Sequence, residues 1–114
     1  MSGDPDAFEW RYILVGHEAA PEPDLLKWAK WFDTADRCVA DTRRDDVRVS
    51  TVFLGLDHGF GHGPPLLFET MVFVNGSSEG MARYATWDEA VEGHQRMVMQ
   101  VFKPTPILKL PMKA

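Results

Sequence analysis

Apolar residues along this chain follow two rhythms, one stepping by two or running unbroken and one returning every three or four positions. The first marks strands and the second marks helices. Trp10-Arg11-Tyr12-Ile13-Leu14-Val15-Gly16 is rich in aromatic and β-branched residues and runs on to Pro21 and Pro23, which predicts a strand ending near His17, then a loop. From Asp24 onward Leu25, Trp28, Ala29, Phe32, Ala35 and Val39 recur at helical spacing and predict a helix of about four turns. Pro23 suits its first position, and Glu22 and Asp24 put negative charge where the helix dipole favours it. The polar run from Asp41 to Asp46 breaks the pattern. Val47 and Val49 then alternate with Arg48 and Ser50 before the chain turns apolar from Thr51 to Leu56, as a central strand does. Leu66 to Val74 resumes the β composition, so a hairpin forms around the loop Asp57 to Pro65. Asn75 to Gly80 supplies a second turn, and Met81 to Ala85 is a short edge strand.

Thr86-Trp87-Asp88-Glu89 fits a capping box, in which the threonine hydroxyl accepts from the glutamate N–H and the glutamate reaches back. A second helix starts there, carries an apolar stripe of Ala90, Val91, His94, Met97, Val98 and Val101, and stops at Lys103-Pro104. Between its prolines the tail from Thr105 to Pro111 suits a short edge strand or packing on a neighbouring subunit. The order is therefore β-α-β-β-β-α with an optional last strand. The expected fold class is α+β, a single domain over residues 1–114 whose antiparallel sheet of four to five strands packs with two helices. Residues 1–9 and 104–114 are expected to be flexible or partner-packing ends.

With 114 residues, the chain has room for one core. A hydrophobic fraction of 45% and a charged fraction of 25% match globular averages and exclude a disordered or fibrous reading. Twelve Lys and Arg against seventeen Asp and Glu leave a net charge of -5, which argues against nucleic acid and acidic membranes as partners. No apolar run approaches the roughly 20 residues of a membrane span, and the first residues lack the basic stretch of a signal peptide. The lone Cys38 excludes an internal disulfide framework and a cysteine-rich zinc site. A cytoplasmic protein is expected.

Candidate chemistry concentrates in the loop Asp57-His58-Gly59-Phe60-Gly61-His62-Gly63-Pro64-Pro65. Glycines let amides approach a ligand, and Phe60 is placed to stack on a ring. A long hairpin loop with glycines for its turns is the plainer reading. The run lacks the Lys-Ser/Thr of a phosphate-binding loop and leads into Pro-Pro, which excludes the Walker and Rossmann patterns. Asp57, His58 and His62 offer metal-ligand atoms, with His17 or His94 to complete a shell, but glycines between the imidazoles remove the rigidity that makes such a pair diagnostic. Glu69, inside an apolar strand, needs a partner: a ligand hydroxyl, or a structural pair with Arg48, Arg83 or a backbone donor. His94 on the helical stripe reads first as a satisfied core histidine and second as a site residue. Trp31 falls off the stripe of the first helix and marks a candidate partner surface. Cys38 has no His-Asp partner in sequence and is a poor nucleophile candidate.

Val49 to His58, the loop Phe60-Gly61-x-Gly63-Pro64-Pro65, Leu67-Phe68-Glu69-Thr70-Met71 and Arg83-Tyr84-Ala85-Thr86-Trp87-Asp88-Glu89-Ala90-x3-His94 together resemble a family of small proteins encoded in phages and prophages. The resemblance covers about two thirds of the chain, implies a phage setting and supplies no catalytic residue. His62 stands at a position expected to vary, which weakens it as a metal ligand. The expectation is a non-enzymatic small-ligand-binding protein, oligomeric with itself, that sequesters a nucleotide-derived signal of host defence. Its ligand-binding residues would be Asp57, His58, Gly59, Phe60, Gly61, His62, Glu69, Arg83 and His94, with no cofactor and no metal. A metal-dependent hydrolase built on the Asp57/His58 loop and a protein-binding inhibitor of a host protein are the alternatives.

Overall fold

A computed structural model of the chain describes residues 10–59 and 62–102. The expected tail strand therefore lies outside the described residues, as do Phe60 and Gly61 of the loop. The elements are β1 (Tyr12–Val15), β2 (Glu18–Pro21), α1 (Leu25–Thr34), β3 (Cys38–Arg44), β4 (Val47–Phe53), β5 (Phe68–Val74), β6 (Ser77–Tyr84) and α2 (Trp87–Val101). The fold is α+β, with one antiparallel sheet of four strands in the order β3-β4-β5-β6 and a separate hairpin β1-β2. Two of these strands go beyond the expected order.

β3 replaces the last turn of the expected first helix and the polar run after it. α1 stops at Thr34, where Ala35 turns to an extended conformation (φ −75°, ψ 148°). Asp36 then accepts the Cys38 N–H through its side chain (3.0 Å), a local turn that competes with continued helix. The chain enters β3 with Arg37 donating to the Phe53 carbonyl (3.0 Å). In β3 every second residue points outward, so Asp41 and Arg43 face solvent while Thr42 points toward α2. An edge strand tolerates such charges, which hid it in the sequence. Asp45 (φ 57°) occupies the left-handed region in its turn to β4, and Asn75 (φ 54°) with Gly76 (φ 82°) makes the tight turn to β6. β6 therefore begins at Ser77, inside the segment expected to be a turn, and absorbs the extra residue as a bulge opposite Val72 and Phe73.

α1 is capped by Asp24, whose carboxylate accepts the Lys27 N–H (3.1 Å); Pro23 lies outside the helix and is not its first residue. Its stripe is also rotated from the expected one. Trp31 meets Phe53 edge to face with ring centres 5.7 Å apart, whereas Leu25, Leu26 and Ala29 are exposed, Leu26 at 75%. Trp28 fastens the helix, its indole N–H lying 3.1 Å from both the Tyr12 and Gly55 carbonyls. Gly55 (φ 79°) permits this, since a Cβ there would come within 3.0 Å of the Phe32 ring.

α2 begins as read from the sequence: Thr86 Oγ1 accepts the Glu89 N–H (3.1 Å), and Glu89 reaches back to the Ala85 N–H (3.1 Å). It buries Ala90, Gly93 and His94 against the inner face of the sheet. Gly93 is required there, because a Cβ would overlap the Tyr84 ring. The apolar core joins Phe53, Leu67, Phe68 and Ala90, with Tyr84, Trp31 and Trp87 packed around them.

Candidate functional site

The seven described residues among those singled out in the sequence sit in three separate places. Asp57 is buried and its Oδ1 accepts two backbone N–H groups, from Gly59 (2.6 Å) and Leu66 (3.0 Å). It closes the base of its loop. Gly59 is held close by this bond, since a Cβ would lie 3.1 Å from Asp57 Oδ1. His58 Nδ1 lies 3.0 Å from the Leu56 carbonyl, which fixes Nδ1 as its protonated nitrogen. His62 is exposed, and its N–H donates to the Gly59 carbonyl (3.0 Å). Among the described residues no group of three or more His, Cys, Asp or Glu gathers to hold a metal ion.

Glu69 and Arg83 lie opposite one another on β5 and β6 and pair at 3.0 Å. This is the structural partnership weighed in the sequence. Both project from the outer face of the sheet, away from α2, so neither meets the loop carboxylate.

His94 is 5% exposed and bridges two threonines beneath α2, one of which bonds a third. Its Nδ1 lies 2.7 Å from Thr51 Oγ1 and its Nε2 2.9 Å from Thr42 Oγ1, while Thr51 Oγ1 also bonds Thr70 Oγ1. A neutral imidazole has one donor and one acceptor, which this row of hydroxyls matches. Burial pushes the His94 pKa below its ordinary 6.5, partly offset by the nearby Asp41 carboxylate. The residue is a satisfied core histidine.

Chemistry with access to solvent gathers elsewhere. A cleft of about 280 Å³ opens where the β1-β2 hairpin, the Pro64-Pro65 end of the loop and the start of α2 converge. Leu67, Phe68 and Ala19 line it with apolar surface, and Tyr12, His17, Glu18, Thr86 and Trp87 add polar or aromatic groups. Larger depressions exist, but the one on α1, for example, is lined by successive turns of a single helix. At the cleft wall the His17 imidazole stacks flat on the Trp87 indole, with ring centres 3.7 Å apart and planes 6° from parallel. Trp87 is held from below by Phe68, edge on at 6.2 Å, and Phe68 in turn packs against Phe53 at 5.2 Å. The platform is thus anchored in the core, while His17 sits on the exposed turn after Gly16 (φ 66°).

Of the expected site residues, none lines this cleft; Pro64 and Pro65, the end of the same loop, do. The sequence singles out His17 only as a metal-ligand candidate and Trp87 only as part of the capping box. Glu18 lay in a segment read as loop. The one signal available in sequence was the capping box, which marks a helix start at Trp87 without saying what lies over it. No family model, curated protein or solved structure matches the chain.

Proposed function

We propose that this chain is a small-ligand-binding protein that captures a compact planar ring compound, without turning it over, in the cleft between the β1-β2 hairpin and the start of α2. The His17-Trp87 stack carries the reading: the cleft already holds one flat heteroaromatic ring against an indole that the core keeps in place. Glu18 is the charged side chain among the described lining residues, and no Lys or Arg is among them. That lining favours a neutral or cationic ring with hydrogen-bond donors, such as the amino group of a nucleobase or the hydroxyls of a ribose. Phosphates of a nucleotide-derived signal would extend out of the cleft. The volume is close to the lower end of small-molecule sites, which suits a base or nucleoside. The resemblance to phage-encoded proteins supports capture of a host signal as the biological setting.

A panel of nucleobases, nucleosides, cyclic nucleotides and ADP-ribose tests this by thermal unfolding. The expected result is a concentration-dependent rise in Tm with at least one ring compound, corresponding to about 2.7 kcal/mol at a hundredfold excess over Kd. Glu18→Gln and Trp87→Ala should reduce or abolish the shift, and the compound should be recovered unchanged after denaturation. No shift with any member would remove the reading and leave a protein-binding module, which the exposed Leu25 and Leu26 of α1 favour.

A further inference from the structure

The outer face of the four-stranded sheet has no helix over it among the described residues, because α2 occupies the inner face and α1 packs against β1. Its centre is apolar: Val52 from β4, Met71 and Phe73 from β5, and Met81 from β6, the last 52% exposed. Two ion pairs stand at diagonally opposite corners. Asp41 and Arg48 close one corner, at 2.7 Å, and Glu69 and Arg83 the other, at 3.0 Å. Each corner therefore offers one carboxylate and at least one guanidinium.

We infer that this face pairs with the same face of a second copy, about a two-fold axis that brings the Asp41-Arg48 corner of each chain over the Glu69-Arg83 corner of the other. Charge selects the partner. The outward positions of the strands carry Asp41, Glu69 and Glu79 against Arg43, Arg48 and Arg83, no net charge on a face of a chain whose net charge is -5. Two acidic chains repel least there, and in the crossed arrangement Arg48 meets Glu69 and Arg83 meets Asp41, twice over. A rotation that exchanges diagonal corners also crosses the two sets of strands near a right angle, one of the two modes in which sheets stack. The area is sufficient for a reversible dimer. Four strands about 4.8 Å apart and seven residues of about 3.3 Å each give a face of about 440 Å² in projection. Two copies thus cover about 900 Å² of projected area and more of the corrugated surface, within the range of weak, transient association.

Sedimentation equilibrium under reducing conditions tests the pairing. The wild-type chain should show a reversible monomer-dimer equilibrium that Met71→Glu weakens by tenfold or more. Met81→Glu, at an exposed edge position, should do the same and serves if Met71→Glu unfolds. Arg48→Glu and Glu69→Arg should each be monomeric alone, since each places like charges at both corners, and an equimolar mixture should form a heterodimer. A wild-type monomer at every concentration, a dimer indifferent to Met71→Glu and Met81→Glu, or a mixture that stays monomeric overturns the proposal.

Discussion

The two faces of the four-stranded sheet are made from alternate residues of the same strands, yet they hold their polar groups in opposite ways. On the inner face Thr51 and Thr70 are fully buried and His94 nearly so, and every hydroxyl and ring nitrogen of the row finds a partner within the row. On the outer face the polar groups are charged, half in water and paired at the rim around a hydrophobic centre. Polarity that is enclosed has to be complete, whereas polarity at a rim has only to be matched. The inner row accordingly governs whether the chain folds. The outer pairs govern what the folded chain meets.

Three measurements sharpen that contrast. The largest effect belongs to the inner face: Phe53→Ala removes a fully buried ring that touches both Trp31 and Phe68, and should cost about 3–5 kcal/mol in urea unfolding. An intermediate effect comes from acid. Burial lowers the His94 pKa in the folded chain, so the unfolded chain takes up a proton that the folded chain resists. The stability associated with this residue is fully present above pH 6.5 and is lost as pH falls below it. Unfolding midpoints followed from neutral pH into acid should show that decline, and His94→Gln should flatten this part of the profile; an unchanged profile would remove the histidine from the account. The smallest effect belongs to the outer face. Arg48 grips Asp41 through Nε and Nη2 and holds its carboxyl below the usual range, but the pair stands in solvent. Asp41→Asn, measured in dilute protein, should leave the unfolding midpoint within the scatter of repeat measurements.

Local signals in the sequence were read correctly where a single segment contains the whole instruction. The Thr86-Glu89 box, the apolar stripe behind it and the central hairpin all have this character. Elements that depend on neighbours were not. β3 looks polar because its outward residues are Asp41 and Arg43, and its inward Thr42 makes sense only once His94 lies over it. β2, Glu-Ala-Ala-Pro, has little strand preference and exists as the partner of β1. Glu69 was recognised as needing a partner, and Arg83 was among those considered, since the physics of a carboxylate in an apolar strand does not depend on topology. The cleft escaped because residues near positions 12–19, 64–68 and 85–87 meet there, and no spacing in the chain announces that encounter.

α1 has no buried residue, and Trp28 spans two carbonyls on its behalf. A segment so fastened can lift away while the paired strands keep their bonds, which makes it the element expected to open first among the described ones. Such excursions would uncover Trp31 and Phe32 briefly and often, long before the central hairpin lets go.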